Sequence, residues 1–264
     1  MRVWQAMVVQ VAACWSVWSW YVSRVWTGAD EAWHLVAVLA LVALGLRGNL
    51  SQRVRWVHLG GLAAVNVGMA VLFARLPMAV TALGAVLGLA SLLSRANSLP
   101  LWHPAPALLA FLALPVGASV HFFASHPLKV ATITLASPML HMMGIAVTRT
   151  GSALAFGNTV VLVDAPCAGV DTLGVTLLLA VGIALLRLHT ARVTWVMLAL
   201  ALVGVVGANA MRVCCLFLLQ RDGGSVPPWL HEGVGLAAFL QVALVLFITG
   251  TRVMPPRVVD GGVP

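Results

Sequence analysis

The stretch Val193–Leu219 reads VTWVMLALALVGVVGANAMRVCCLFLL and decides the fold class. Its single charged residue is Arg212, and the side chains on both sides of it are almost all apolar. About 20 consecutive apolar residues are enough to cross the hydrocarbon core of a bilayer as a helix. The stretch therefore predicts a transmembrane helix.

The composition of the whole chain agrees with this prediction. Hydrophobic residues make up 61% of the 264 residues and charged residues 8%, whereas soluble domains carry about 25% charged residues. This excludes a soluble globular protein, because too few charges remain to cover a water-facing surface. At about 20 residues per span, the chain has room for about eight spans. We predict one polytopic all-α integral membrane domain over residues 1–264, with transmembrane helices near 4–22, 30–46, 57–73, 76–93, 106–124, 170–188, 193–219 and 231–249.

The distribution of basic residues predicts the orientation of the chain. The formal net charge of +8 does not indicate nucleic-acid binding, because basic residues stand singly between apolar runs instead of clustering on one polar face. Arg47, Arg53 and Arg55 mark the clearest cytoplasmic loop under the positive-inside rule. Alternation from that loop places both termini in the cytoplasm. The expected location is the cytoplasmic (inner) membrane, with the lipid bilayer as a partner.

Residues 125–166 form the one long connection between predicted spans, and we expect it outside the cytoplasm. It begins with an amphipathic region, Pro127–Val147, and continues as two short strands around Gly157-Asn158, a hairpin signal. Long loops on compact domains tend to carry function. We therefore expect this extracytoplasmic loop to form a lid or a substrate platform.

The first candidate site is the stretch Asp164-Ala-Pro-Cys167-Ala-Gly169-Val-Asp171, at the start of the sixth predicted span. We expect Pro166 to begin this helix and Cys167 to lie in its first turn, where a helix N-terminus favours the thiolate. Gly169 allows close approach by another backbone. The other cysteines stand in apolar sequence and are interpreted as small buried residues: Cys14, Cys214 and Cys215.

The second candidate site lies towards the end of the seventh predicted span, and the third begins the eighth. Arg212 lies roughly 10 Å from the end of its helix, and an arginine at that depth is usually functional. The simpler interpretations are a snorkelling arginine or one neutralised by Asp171. Asn209 lies three residues earlier and shares a helix face with Arg212. His231 begins the last span, and Gly233 and Gly235 leave space for a close neighbour.

Together these sites predict a thiol, a guanidinium and an imidazole at the outer ends of three consecutive spans. A cysteine nucleophile needs a base or an imidazolium partner, and acyl transfer needs a donor for the oxyanion. Cys167, Arg212 and His231 supply one candidate for each role. The cysteines and histidines show no metal-binding spacing, so we expect no metal or other cofactor.

At these residues the sequence resembles the exosortase/archaeosortase family. Its pattern of Cys-Ser-Gly at a helix start, Asn-x-x-Arg in the next helix and then His is matched by Cys167-Ala168-Gly169, Asn209-Ala-Met-Arg212 and His231. Ala168 departs from the pattern, because most members have serine there. The resemblance covers residues 126–249.

The resemblance implies a membrane-embedded cysteine transpeptidase with Cys167, Arg212 and His231 as its catalytic residues. Its substrates would be exported proteins that end in a short motif, often of the Pro-Glu-Pro kind, followed by one transmembrane helix and a basic tail. The enzyme would cut near the motif, form a thioacyl intermediate on Cys167 and transfer the new C-terminus to an acceptor, with a lipid as the expected acceptor.

Two other functions remain open on the sequence. A b-type haem protein could use two facing histidines, and the chain offers His34, His58, His121 and His141 among its eight. A small-molecule transporter usually shows two related halves with broken helices at the midplane. No such halves are visible in this sequence, and the candidate polar groups cluster near one membrane face.

Overall fold

A computed structural model describes residues 1–26, 33–72, 76–151, 153–156, 159–162, 169–187, 189–220 and 226–253. The described residues are almost all helical, with one small sheet. The elements in chain order are α1 Val3–Ala13, α2 Trp15–Trp26, α3 Trp33–Arg47, α4 Trp56–Leu72, α5 Met78–Ala96, α6 Pro104–Leu112, α7 Gly117–Met142, β1 Thr148–Thr150, β2 Ala153–Phe156, β3 Thr159–Leu162, α8 Val170–Leu186, α9 Ala191–Gln220, α10 Pro228–Ile248 and a π-helical turn Thr249–Val253. The predicted all-α class is confirmed.

Two predicted spans are interrupted. The first predicted span is two helices, α1 and α2, which are separated at Cys14. The predicted span 106–124 is also wrong as a single helix, because α6 ends at Leu112 and α7 begins at Gly117. Pro115 lies in the break, where its ring removes a backbone donor and disfavours a helical conformation of the preceding residue.

Within the described residues, three helices are long and apolar enough to cross a membrane, namely Met78–Ala96, Ala191–Gln220 and Pro228–Arg252. A fourth span is obtained if α6 and α7 together form one broken span. The other apolar helices among the described residues are shorter, at 10–17 residues. The structure therefore supports a multi-pass membrane protein, while the number of about eight spans stays a prediction.

Residues Met1–Ala118 form one compact unit, which we call unit 1. Helix α5 is its central element and packs against α1, α2, α3, α4 and α6. Small side chains make this possible, since Ala82, Ala85 and Ala90 of α5 are each no more than 2% exposed. Close approach through small residues is the usual way in which membrane helices pack.

Residues Ser119–Pro264 form the second compact unit, unit 2. Helix α9 packs against both α8 and α10. Its core joins Ile133 and Leu140 of α7 with Leu154 of β2 and Phe217 of α9, all of which are buried. All the candidate catalytic and supporting residues belong to unit 2.

The segment predicted as a loop contains more regular structure than expected. Helix α7 continues to Met142, and Gly144 then adopts a left-handed φ of 78°. The predicted hairpin is confirmed in its strands, because β2 pairs antiparallel with β3 and Phe156 faces Thr159; Gly157-Asn158 themselves lie outside the described residues. A third strand, β1, was not predicted and pairs with β2. The side of the membrane on which this segment lies stays a prediction.

Candidate active site

The Asn209-Ala-Met-Arg212 motif lies in the interior of α9, as predicted. Asn209 is 4% exposed and Arg212 is 9% exposed. Burial of an arginine is costly in any protein and more so at membrane depth. Both side chains therefore need partners inside the protein, and those partners indicate the role of the motif.

Asn209 packs on Gly169, the residue that immediately precedes α8. Gly169 is the N-cap of α8, with a φ of 78°. A Cβ at Gly169 would overlap the Asn209 side-chain amide. The group that approaches Gly169 is therefore the Asn209 side chain, whereas a neighbouring backbone was expected there. A larger residue at position 169 would clash with Asn209 and would also be strained by the left-handed backbone conformation.

The start of α8 differs from the prediction. The helix begins at Val170, whereas Pro166 was expected to begin it; the expectation that Cys167 lies in its first turn falls on a residue outside the described part of the chain. The physical reason is the left-handed conformation of Gly169, which cannot belong to a right-handed helix. Asp164, Pro166 and Cys167 themselves lie outside the described residues.

Arg212 contacts the start of α10. Its Nη2 lies 3.3 Å from Nδ1 of His231, a half-buried side chain. Arginine has donors and no acceptor, so Nδ1 of His231 accepts this hydrogen bond. In the neutral imidazole the proton then resides on Nε2. The structure thus joins two of the three predicted catalytic residues directly and selects one tautomer of His231.

Gly235 forms one wall around the Arg212 guanidinium. A Cβ at Gly235 would lie 3.0 Å from Cζ, 3.2 Å from Nη2 and 3.3 Å from Nη1 of Arg212. Gly233 is different, because a Cβ there would meet nothing within 4 Å. The predicted space beside His231 is therefore used at Gly235, where the guanidinium fills it.

Asp171 binds a histidine that we had not placed in this site. Its Oδ1 lies 2.8 Å from Nε2 of His121, which is in the second turn of α7. The two side chains are 57% and 32% exposed. Sequence reasoning had considered Asp171 as a partner of Arg212 and His121 as a haem ligand. The two residues are 50 positions apart along the chain, and no local pattern indicated this pairing.

The other histidines proposed as haem ligands bond within the protein. Nδ1 of His34 is 3.4 Å from the Leu112 carbonyl oxygen, Nε2 of His58 is 3.2 Å from Oγ of Ser91, and Nε2 of His141 is 2.8 Å from the Val147 carbonyl oxygen. Among the described residues no group of three or more His, Cys, Asp or Glu side chains could hold a metal ion. Each of these bonds occupies one ring nitrogen of its histidine.

The sequence was also compared with known proteins. The model of the family described as "Transmembrane exosortase" matches residues 4–248. Comparison with curated proteins gave no match, and comparison with solved structures gave none either. The family match extends well beyond the 126–249 region on which the motif resemblance rests and includes α1–α6 of unit 1. The chain therefore belongs to the transmembrane exosortase family.

Proposed function

We propose that this protein is a membrane-embedded cysteine transpeptidase in which Cys167, Arg212 and His231 are the catalytic residues. One observation carries the proposal above all. A buried arginine of α9 is hydrogen-bonded to a histidine of α10, and one turn away the same helix contacts the chain next to the candidate nucleophile through Asn209. The family membership supports the same chemistry.

Covalent geometry limits how far Cys167 can be from this group. It precedes Gly169 by two residues, so their Cα atoms can be at most about 7 Å apart. Gly169 is in contact with the Asn209 side chain, and Asn209 is separated from Arg212 by a rise of about 4.5 Å along α9. A thiol within reach of both Arg212 and His231 is compatible with these limits. Asn209 and Gly169 are thus proposed as positioning residues.

The tautomer of His231 suggests the order of the acylation step. While Arg212 donates to Nδ1, that nitrogen cannot accept a proton. When a substrate carbonyl enters and Arg212 donates to its oxygen instead, the Nδ1 lone pair is released. His231 can then take the thiol proton of Cys167 while the sulfur attacks the carbonyl carbon.

The remaining steps return every group to its starting state. Arg212 stabilises the oxyanion, and the imidazolium of His231 gives its proton to the leaving amine nitrogen as the C–N bond breaks. The acyl group is then a thioester on Cys167. The acceptor nucleophile attacks this thioester, loses its proton through His231 and releases the free thiol.

The proposed substrates are exported proteins that end in a short motif, one transmembrane helix and a basic tail, and the proposed acceptor is a lipid. The active site would face the extracytoplasmic side of the inner membrane, with the 125–166 segment beside it. The transmembrane character of the substrate tail suits a site whose Arg212 and His231 belong to α9 and α10, which are both long enough to span the bilayer.

The test is capture of a thioacyl intermediate. A reporter that carries a Pro-Glu-Pro motif, a transmembrane helix and a basic tail is incubated with the purified protein, and the fragment bound through Cys167 is released with hydroxylamine. Cys167→Ala should abolish capture, and exposed Cys215 provides the control Cys215→Ala, which should retain it. Loss of capture in both variants, or retention of capture in both, would contradict the proposal.

The same assay tests the two partner residues. Arg212→Lys keeps a positive charge but loses the planar guanidinium, so this variant should form the adduct more slowly than the wild-type protein. Loss of an oxyanion donor costs about 10²–10³ in rate in known enzymes. His231→Ala should slow the appearance of the adduct. An adduct that forms at the wild-type rate in His231→Ala would remove His231 from the acylation step.

A further inference from the structure

Five arginines meet at one end of unit 1, although they come from separate parts of the chain. The backbones of Arg2 and Arg53 form an antiparallel bridge, and the Asn49 N–H donates to the Ala96 carbonyl at 2.8 Å. These contacts hold together the start of α1, the connection from α3 to α4 and the end of α5. We call this region the arginine end; its arginines are Arg2, Arg47, Arg53, Arg55 and Arg95.

Acidic residues do not balance this charge. Residues 33–118 contain no aspartate or glutamate, and the only acids before them are Asp30 and Glu31. The described residues of unit 1 therefore contain no carboxylate side chain that could pair with these arginines. The arginine end therefore carries a positive potential that an external anion would relieve.

A cavity opens at the arginine end beside α4. Its volume is about 690 Å³, and it combines a basic part with an apolar wall. The lining includes Arg55, His58, Arg95, Leu62, Val65 and Trp102. A cavity of this volume lies within the range of about 300–1,000 Å³ that small ligands occupy.

The basic part of the cavity has an unused donor. The Nε of Arg95 is buried and makes no hydrogen bond within the part of the chain that the structure describes. Such a group costs free energy unless a partner satisfies it. His58 is held in place by its 3.2 Å contact with Ser91, so it forms a fixed wall next to the arginines. Phosphate oxygens are suitable partners, since guanidinium groups bind them with paired hydrogen bonds.

The apolar part continues along the outer face of α4. Val57 and Val65, which line the cavity, are 84% and 46% exposed. Trp56 and Trp102 at the same end are 82% and 66% exposed, as is typical of tryptophans at the level of lipid headgroups. A ligand here would therefore have its charged group beside the arginines and its apolar group against α4, in contact with lipid.

We propose that this cavity is a binding site for an anionic membrane lipid. The phosphate of the headgroup binds Arg55 and Arg95, and an acyl chain lies along the α4 wall near Val65. Anionic lipids concentrate where juxtamembrane basic residues lie on the cytoplasmic side, which is the predicted side of all five arginines. All residues that line the cavity belong to unit 1, whereas the proposed catalytic residues belong to unit 2.

The experiment is a titration of dioctanoyl phosphatidylglycerol into the full-length protein in an uncharged detergent, with bound lipid detected by native mass spectrometry. We expect Arg95→Gln to weaken binding at least about tenfold, because a hydrogen bond to a charged group is lost. Val65→Trp should also weaken binding, because it fills the apolar part and leaves every charge in place. Arg55→Gln is the second charge variant if Arg95→Gln does not fold.

Arg192→Gln is the matched control, since Arg192 is exposed at the start of α9 in unit 2 and is also predicted to be cytoplasmic. It should leave phosphatidylglycerol binding almost unchanged. Three results would overturn the proposal: equal weakening by Arg192→Gln, equal affinity for dioctanoyl phosphatidylcholine, or displacement of the lipid by the same concentration of inorganic phosphate. The first would indicate unspecific charge attraction, the second apolar contact alone and the third a site for soluble anions.

Discussion

A single methyl group placed at Gly235 should displace the Arg212 guanidinium and slow the reaction while the helices remain folded. In Gly235→Ala the new Cβ would lie 3.0 Å from Cζ of Arg212 and 3.2 Å from its Nη2. Ordinary contacts between heavy atoms are about 3.5–4.0 Å. The guanidinium must therefore move by roughly 0.5–1 Å, and the substitution acts on Arg212 without removing any functional group.

The displacement should be sufficient to affect catalysis. The bond between Nη2 of Arg212 and Nδ1 of His231 is already 3.3 Å long, and a further shift of about 0.5 Å takes it beyond the range of a hydrogen bond. A misplacement of about 1 Å can cost an enzyme on the order of 10² in rate. We expect acylation of Cys167 to slow by about 10- to 100-fold.

The control is Gly233→Ala, two residues earlier in α10, where a Cβ would meet nothing within 4 Å. Both substitutions raise helix propensity by about 0.5–1 kcal/mol, so both proteins should fold. The assay is the single-turnover rate of the hydroxylamine-sensitive adduct. Equal rates for the two variants would show that the contact between Gly235 and Arg212 is irrelevant to the reaction.

Three further predictions concern stability and orientation. Gly250→Ala should lower the free energy of unfolding by about 1–3 kcal/mol through overpacking, since its Cβ would lie 2.6 Å from Met197 and 2.7 Å from Ile183. Gly182→Ala, where a Cβ would meet no atom within 4 Å, should not lower it. Thermal unfolding in detergent would measure both variants, and equal midpoints would contradict the packing argument. Asp171→Asn should cost less than about 1 kcal/mol in the same measurement, because the pair with His121 is solvent-accessible; a larger loss would mean that this pair holds α7 to α8. A reporter fused to the C-terminus should be detected in the cytoplasm, and extracytoplasmic detection would overturn the predicted orientation.

The sequence was most informative where long apolar runs have clear ends. The predicted spans 170–188, 193–219 and 231–249 correspond to α8, α9 and α10, with ends that differ by at most three residues. In a bilayer such a run must form a helix, because each backbone N–H and C=O group then has to find its hydrogen-bond partner within the segment. Polar residues at their ends mark where each run stops.

Prediction failed where tertiary packing decided the local structure. Residues from Ser125 onward were predicted to begin the long connection between spans, yet those up to Met142 continue α7. The helix is stabilised by burial of Ile133, Ala136 and Leu140 on one face, and this burial outweighs the cost of the prolines. The pattern of these residues was recognised as amphipathic, but a pattern alone does not show which surface will cover it.

For the site, local spacing was predictable and distant pairing was not. The shared face of Asn209 and Arg212 followed from their separation by three residues. The sequence indicated that glycines leave space beside His231, but only the structure distinguishes Gly235 from Gly233. The pairing of Asp171 with His121 depends on how α7 packs beside α8, for which no local pattern exists.

The separation of three residues between Asn209 and Arg212 also explains how one helix can serve two neighbours. Three residues advance an α-helix by about 300°, so the two side chains point about 60° apart on adjacent turns. One therefore contacts Gly169 at the start of α8, and the other contacts His231 at the start of α10. A separation of two residues would direct them about 160° apart, and a single surface of α9 could not hold both. A spacing of three residues is thus what allows α9 to contact the start of α8 and the start of α10 from one side of the helix.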